Sequence, residues 1–254
     1  MLLPKITLHG ASPLLLLYLL LIQEAVFASG TFSLYFYDTV YLNRKGKELK
    51  RIPDPKTDKT FIVRTTSSTD DLYGTDSSEI NHWQRGLSHP ISKTEAKRTE
   101  TLIKEGKYKE AWQTGNLVEL RPLDERRADG RLMQLDNGNG KDREGNNREY
   151  ASIIFADGTR KDTMGGVTDP NGGDPEILIH ERKKIIRYSH SHPSGTHEID
   201  HILHSFYPQA PSKGDIEACK GEMAVIFGRV TNKVYIYDST GVIATLPTKV
   251  YLRL

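Results

Sequence analysis

The pattern of hydrophobic and polar positions predicts strands most clearly in the last hundred residues of the chain. Residues 151–156 predict a strand and are followed by Asp157-Gly158, a dipeptide typical of hairpin turns, and residues 185–191 predict a second strand. Three more segments, 223–230, 234–238 and 242–246, predict a terminal meander with turns at 231–232 and 239–241. With a short helix predicted over 212–220, this part is expected to be α+β, with a mainly antiparallel sheet.

The pattern between residues 29 and 148 is mixed. Short strand-like runs occur at 32–37 and 61–64, and 92–113 has apolar residues at helical spacing after the capping-box pattern Ser92-Lys93-Thr94-Glu95. Gly106 is expected to divide that segment into two short helices. Residues 136–148 are rich in Asn, Gly and charge, which predicts a loop that is either a boundary or an exposed insert. We therefore expect an N-terminal region over 29–148 and a domain over 149–254.

The first residues have the three-part pattern of a secretory signal peptide. Lys5 and His9 precede nine uninterrupted apolar residues at 14–22, and small residues follow at the expected cleavage site after Ala28. The run is shorter than the ~20 residues that a membrane-spanning helix needs. We predict a signal peptide over 1–28 and an exported protein that is periplasmic, at the cell surface or secreted. It would touch a membrane only through an uncleaved signal segment.

Composition limits the partners and the covalent chemistry. The 254 residues are 37% hydrophobic and 27% charged, and the formal net charge is +2. No basic stripe with interleaved aromatic residues is present, so we expect no nucleic-acid partner. Cys219 is the single cysteine, so the chain can form no internal disulfide; we expect a buried structural thiol.

Two short motifs carry candidate metal ligands. His190 and His192 stand at i and i+2 in a predicted strand, where both imidazoles share one face and can approach one ion. Asp215, in the first turn of the next predicted helix, could complete a His-His-Asp site and leave a fourth position for water. Each motif also has a plain structural interpretation: two surface histidines, and a capping box between Ser212 and Asp215.

Together, these motifs resemble the signature of the JAB/JAMM (MPN+) metallopeptidase family. The sequence His190-Ser191-His192-Pro193 is followed by Ser212-x-x-Asp215, and Glu149, forty-one residues before His190, matches the upstream glutamate of that family. The resemblance covers about 149–254 and is strongest to the JAB-like toxin domain of Rhs-type polymorphic bacterial toxins, which segments 38–43 and 61–65 also resemble. Nineteen residues separate His192 from Ser212, more than the family usually has.

The resemblance implies an α+β fold whose sheet is flanked by helices, and a zinc-dependent hydrolase of peptide or isopeptide bonds. Zn²⁺ would be held by His190, His192 and Asp215. Glu149 would be the general base, and Ser212 would help to stabilise the oxyanion. The expected partners are a protein or peptide substrate and, for a secreted toxin effector, a cognate immunity protein.

Other functions remain open from the sequence. The domain could be a catalytically inactive JAB-fold binding module or a structural envelope protein. The segment His197-Glu198-Ile199-Asp200-His201 also matches the zincin motif, which needs a helix that brings both histidines to one face. Under the JAB/JAMM hypothesis, 197–204 is instead a lid without ligands. Glu176 and Glu181 compete with Glu149 as the base.

Overall fold

The protein is an α+β protein. The computed structural model describes residues 38–54, 56–66, 90–168, 177, 183–199, 203–219 and 223–253. The predicted signal peptide and the strand expected at 32–37 lie outside these residues. In the part that is described, no helix has the length and apolar character needed to cross a membrane.

A four-stranded sheet and two helices form the first half of the fold. Ser92 caps the first helix with a reciprocal capping box, as predicted, and Gly106, at φ 77°, separates the two helices. The strands have the order β2-β1-β3-β4, and β1 pairs parallel to β3. The elements are β1 (Asp38–Leu42), β2 (Glu48–Pro53), β3 (Lys59–Val63), α1 (Lys93–Lys104), α2 (Tyr108–Gln113) and β4 (Leu117–Glu119).

A six-stranded sheet forms the second half. It contains the predicted hairpin and the predicted terminal meander, in the order β12-β11-β10-β7-β5-β6. Strands β7 and β10 run parallel, and the other four neighbouring pairs are antiparallel. The elements, in chain order, are α3 (Leu123–Met133), α4 (Arg143–Asn146), β5 (Tyr150–Phe155), β6 (Arg160–Met164), β7 (Ile185–His192), β8 (Thr196–Ile199), β9 (Leu203–Phe206), α5 (Lys213–Ala218), β10 (Ala224–Gly228), β11 (Lys233–Asp238), β12 (Gly241–Pro247) and α6 (Thr248–Tyr251).

The two sheets share one hydrophobic core. Leu42 and Ile62 of the first sheet belong to the same buried cluster as Tyr150, Phe227 and Ile236 of the second. Residues 37–254 form one compact unit. Side chains from both sides of the expected boundary at 148/149 are therefore packed together.

The face of β7 that carries Ser189 is held by a buried ionic network. Arg121 and Asp129 form an ion pair with side chains only 2% and 1% exposed, and Arg160 contacts the second oxygen of Asp129. The Ser189 hydroxyl donates to Asp129 at 2.7 Å, and Arg121 donates to the Tyr188 carbonyl. Because a buried charge without its partner is costly, this network fixes the position of β7 in the core.

The polar segment 136–148 is exposed in its middle, at residues 141–144, but is anchored in the core near both ends. Asp136 and Asn146 are fully buried. The Asp136 carboxylate accepts hydrogen bonds from Asn146 Nδ2 and from the backbone N–H and hydroxyl of Ser194, just beyond β7. A Cβ atom at Gly195 would lie 1.7 Å from Asn147 Oδ1, so only glycine fits there. The segment thus anchors the chain that leaves β7.

Candidate metal centre

His190 and His192 lie at the C-terminal end of β7. Their side chains share one face of the strand, as predicted from their spacing. Each is buried, with 1% and 6% of its surface exposed, and their Nε2 atoms lie 3.2 Å apart. Strand β7 pairs with β5 on one side and β10 on the other, so the backbone beneath both rings is held from both edges. Two surface histidines on an exposed strand are therefore ruled out.

Each imidazole is oriented by a different neighbour. His192 Nδ1 lies 2.7 Å from the Pro208 carbonyl, which can only accept, so the neutral ring carries its proton on Nδ1 and directs the Nε2 lone pair into the site. His190 stacks on Tyr188, with ring centroids 5.0 Å apart and an angle of 27° between the planes. Both Nε2 atoms are thus presented to the same point.

Asp215 faces the two histidines from the start of α5. Its Oδ1 lies 3.1 Å from His190 Nε2, and its Oδ2 lies 3.5 Å from His192 Nε2. The capping box is also present: the Asp215 N–H donates to Ser212 Oγ, and the Ser212 N–H donates to Asp215 Oδ2. The two interpretations of Asp215 are therefore compatible, because one carboxylate caps the helix and faces the histidines.

The charges of these groups reinforce one another. Burial by itself would raise the pKa of Asp215. His190 and His192 oppose it through their charges and hydrogen bonds, and together they hold the pKa of Asp215 well below its ordinary value. Burial lowers the pKa of His192, but the hydrogen bond with Asp215 and the charges of Asp215 and Glu149 outweigh it and raise that pKa above its ordinary value. The site therefore stabilises positive charge, whether on a proton or on a cation.

Glu149 approaches the same point from the residue that precedes β5. Its Oε1 lies 3.9 Å from His192 Nε2, and its side chain is 12% exposed. Glu149, His190 and His192 offer ligand atoms that all lie within 4.8 Å of one another, a group that can hold a metal ion. Two carboxylates thus compete for the third ligand position. The shorter distances belong to Asp215, and Glu149 stands slightly farther out.

The spacing of the donor atoms fits a small divalent cation. Two ligands of a tetrahedral ion with metal–ligand bonds of 2.0–2.1 Å are about 3.3 Å apart. The separations of 3.2, 3.1 and 3.5 Å among His190, His192 and Asp215 lie close to that length. Two imidazoles and a carboxylate are ligands that zinc accepts.

Ser212 does not have the free hydroxyl that its predicted role as an oxyanion donor requires. Its Oγ–H donates to Asp215 Oδ2 at 2.6 Å, and the same oxygen accepts from the Asp215 N–H at 3.1 Å. In this structure Ser212 holds the Asp215 carboxylate.

The zincin motif lacks the helix that it needs. Its first three residues belong to strand β8, which pairs with β9, so they have the strand period of two residues instead of the helical period. Asp200 and His201 lie outside the described residues, as do Glu176 and Glu181. Cys219 is half-buried just after α5, so the expectation of a buried thiol is met only in part.

Sequence reasoning missed three groups around the site. Tyr188 has a usable signal, since it stands two residues before His190 and therefore shares its strand face. The Pro208 carbonyl has none, because a backbone acceptor leaves no mark in the sequence. Gln209, which donates to the Pro193 and Tyr207 carbonyls and accepts from the Val230 N–H, holds Pro208 beside the site and is equally invisible.

Comparison with known proteins does not assign the chain to a family. No protein-family model matches it, and no curated protein or solved structure matches it either.

Proposed function

We propose that this protein is a zinc-dependent hydrolase of peptide or isopeptide bonds, of the JAB/JAMM type. The observation that carries the proposal is the convergence of His190 Nε2, His192 Nε2 and the Asp215 carboxylate within 3.1–3.5 Å, with a second carboxylate, Glu149, just outside them. Catalytic zinc sites typically have three protein ligands and a fourth position that is left open for water or substrate, and Glu149 lies beside such a three-residue set here.

His190, His192 and Asp215 would hold the ion. A bound zinc ion supplies Lewis acidity, which lowers the pKa of coordinated water to about 7 and polarises the carbonyl under attack. The Pro208 carbonyl keeps His192 in the tautomer that a ligand needs. Asp215 contributes a negative charge that the ion would partly neutralise.

Glu149 is the general base in this proposal. Its Oε1, at 3.9 Å from His192 Nε2, is too far from the ring to be held by it and near enough to reach a water molecule beside the ligands. Glu149 takes the proton of the attacking water and passes it to the nitrogen of the leaving amine. Its partial burial keeps the carboxylate in a site from which most bulk water is excluded.

Ser212 is a positioning residue in this proposal. Its hydroxyl and its backbone N–H both donate to Asp215 Oδ2, which leaves Oδ1 directed at His190. We assign it this role in place of oxyanion stabilisation because its proton is already engaged.

The biological setting belongs to the same proposal. The resemblance to Rhs-type toxins favours a secreted effector that acts on a protein or peptide and is neutralised by an immunity protein. The predicted signal peptide favours export. Neither is needed for the chemistry at the site.

The test is Glu149→Gln, with Glu144→Gln as the matched control. Glu144 lies five residues away, with a side chain 78% exposed and paired with Arg148. We expect stoichiometric zinc in both variants by elemental analysis. Turnover of quenched fluorogenic peptides, with α-amide or lysine ε-amide bonds, should fall by about 10²–10⁴ in Glu149→Gln alone.

Three results would contradict the proposal. A wild-type protein without zinc would refute the metal site. Zinc without hydrolysis of either bond type would favour the inactive binding module. Full activity in Glu149→Gln would assign the base to another carboxylate, such as Glu176 or Glu181.

A further inference from the structure

Ser191 stands between the two histidines and faces away from them. The alternation of β7 directs His190 and His192 to one face and Ser189 and Ser191 to the other. Ser191 is completely buried, and its Oγ accepts a hydrogen bond of 3.1 Å from the Tyr150 N–H. Tyr150 is the first residue of β5 and directly follows Glu149. One hydroxyl thus links the histidine strand to the residue beside Glu149.

The backbone around Glu149 is held from two sides. On the outer side, Tyr150 pairs with Met164 of β6, and the Gly165 N–H donates to the Glu149 carbonyl at 2.9 Å. On the inner side, the register of β5 with β7 begins at Ala151 and His190. One residue beyond that point, the Ser191 hydroxyl accepts the Tyr150 N–H. A side chain thus extends the attachment of β5 to β7 as far as the residue that follows Glu149.

We propose that Ser191 is a positioning residue that sets the distance between Glu149 and the histidine pair. The inference rests on the proposed function, since it takes Glu149 as the general base. A buried N–H without an acceptor is costly, so loss of the hydroxyl moves the start of β5 toward another acceptor or toward water. A displacement of about 1 Å in a catalytic group can cost 10²-fold in rate. Glu149 moves with Tyr150, whereas the ligands on β7 and α5 stay in place.

Ser189 provides a matched control within the same strand. It lies on the same face of β7, is equally buried, and also makes a hydroxyl hydrogen bond, but to Asp129 in the ionic network. Ser189→Ala removes the same atom from the same strand without touching Tyr150 or Glu149, and Asp129 keeps its ion pairs with Arg121 and Arg160, so the network that holds β7 remains. A general loss of packing in β7 would affect both alanine variants alike.

The experiment compares the full chain with Ser191→Ala, Ser191→Thr and Ser189→Ala. All four proteins should bind one zinc ion with similar affinity, because no ligand changes. In Ser191→Ala, kcat on the fluorogenic peptides should fall by about 10–100-fold at unchanged KM. Ser191→Thr keeps the hydroxyl and should recover most of that loss. Ser189→Ala should keep the wild-type kcat.

A second readout does not depend on turnover. In protein loaded with Mn²⁺ and labelled with ¹³C at glutamate carboxylates, paramagnetic relaxation reports the distance from the metal to Glu149, whose signal is assigned with Glu149→Gln. The relaxation should weaken in Ser191→Ala and stay at the wild-type value in Ser189→Ala. Equal relaxation and equal kcat in the two alanine variants would overturn the inference alone. Failure of the wild-type protein to bind metal would overturn the proposed function, and this inference with it.

Discussion

The strand that supplies the histidines and the helix that supplies Asp215 are built very differently. Strand β7 is paired along both edges, and its last four residues are buried. Helix α5 has six residues, none of them buried, and depends on the capping box of Ser212. The comparison indicates that the two imidazoles are preorganised by the core, whereas the carboxylate is positioned by local hydrogen bonds at the surface. Changes to the two elements should therefore have effects of different size and kind.

The largest effect is expected from His190→Ala. Removal of one of three protein ligands should weaken zinc binding by more than about 100-fold, since changes to residues that only orient ligands already cost 10–100-fold. Hydrolysis should be lost with the metal. Elemental analysis and competition with a chromogenic chelator measure the affinity.

The control for His190→Ala is its thermal unfolding with and without a chelator. The added stability that zinc gives the wild-type protein should be absent in the variant, because metal binding is linked to folding. Stoichiometric zinc in His190→Ala would assign the metal to other residues.

A smaller effect is expected from Ser212→Ala on the helix side. The variant loses the hydroxyl that holds Asp215 Oδ2, and it should bind zinc about 10–100-fold more weakly. Loss of the helix cap should cost about 1 kcal/mol of stability. Lys213→Ala, one residue on and exposed, is the control. Unchanged zinc affinity combined with a loss of kcat would instead return Ser212 to the role of oxyanion donor.

The pH dependence of stability should distinguish the metal-free site from the loaded one. The folded-state pKa of His192 lies above its ordinary value of 6.5, so its contribution is full below pH 6.5 and is lost as pH rises through the raised pKa. The Tm of the metal-free protein should therefore fall with rising pH in this window. With saturating Zn²⁺ the slope should reverse, because the ligand must be deprotonated.

His192→Gln tests whether the pH effect comes from this residue. The variant should flatten the metal-free profile above pH 6.5 and remove the zinc-dependent reversal. A profile with the wild-type slope in His192→Gln would place the titration elsewhere.

The smallest effect is expected from the double variant His197→Ala/His201→Ala. If the segment between β7 and α5 carries no ligand, zinc stays stoichiometric and only the preference among peptide substrates shifts. His190→Ala provides the contrast. Loss of zinc in the double variant with retention in His190→Ala would overturn the ligand assignment.

Local patterns predicted the elements that present the site. Alternation placed His190 and His192 on one face of a strand, the Asp157-Gly158 turn predicted the β5–β6 hairpin, and the spacing of Ser212 and Asp215 predicted a capped helix. These features depend on residues within a few positions of one another. For that reason they can be recognised without knowledge of the rest of the fold.

Features that depend on distant partners were missed. Helix α3 has weak apolar spacing because it buries Arg126 and Asp129. Some of their partners lie far away in the chain: Arg126 donates to the Tyr251 carbonyl, and Asp129 accepts from Ser189. The burial of Asp136 depends on donors at Ser194, fifty-eight residues later. Polar residues with such partners cannot be told from surface residues by composition.

The two ends of the segment that carries β8 and β9 are joined to each other, which has a consequence for how the sequence of that segment can vary. At the end of the segment, Gln209 donates to the carbonyl of Pro193, the residue at its beginning. The neighbouring Pro208 carbonyl accepts from His192. These contacts hold the two ends of the segment, near Pro193 and Gln209, and involve none of the residues of β8 or β9. Each doubling of a flexible loop costs only about 0.6 kcal/mol in closure entropy. We therefore expect that the connection between β8 and β9 can be lengthened, shortened or replaced, in evolution or by design, while the ligands keep their places.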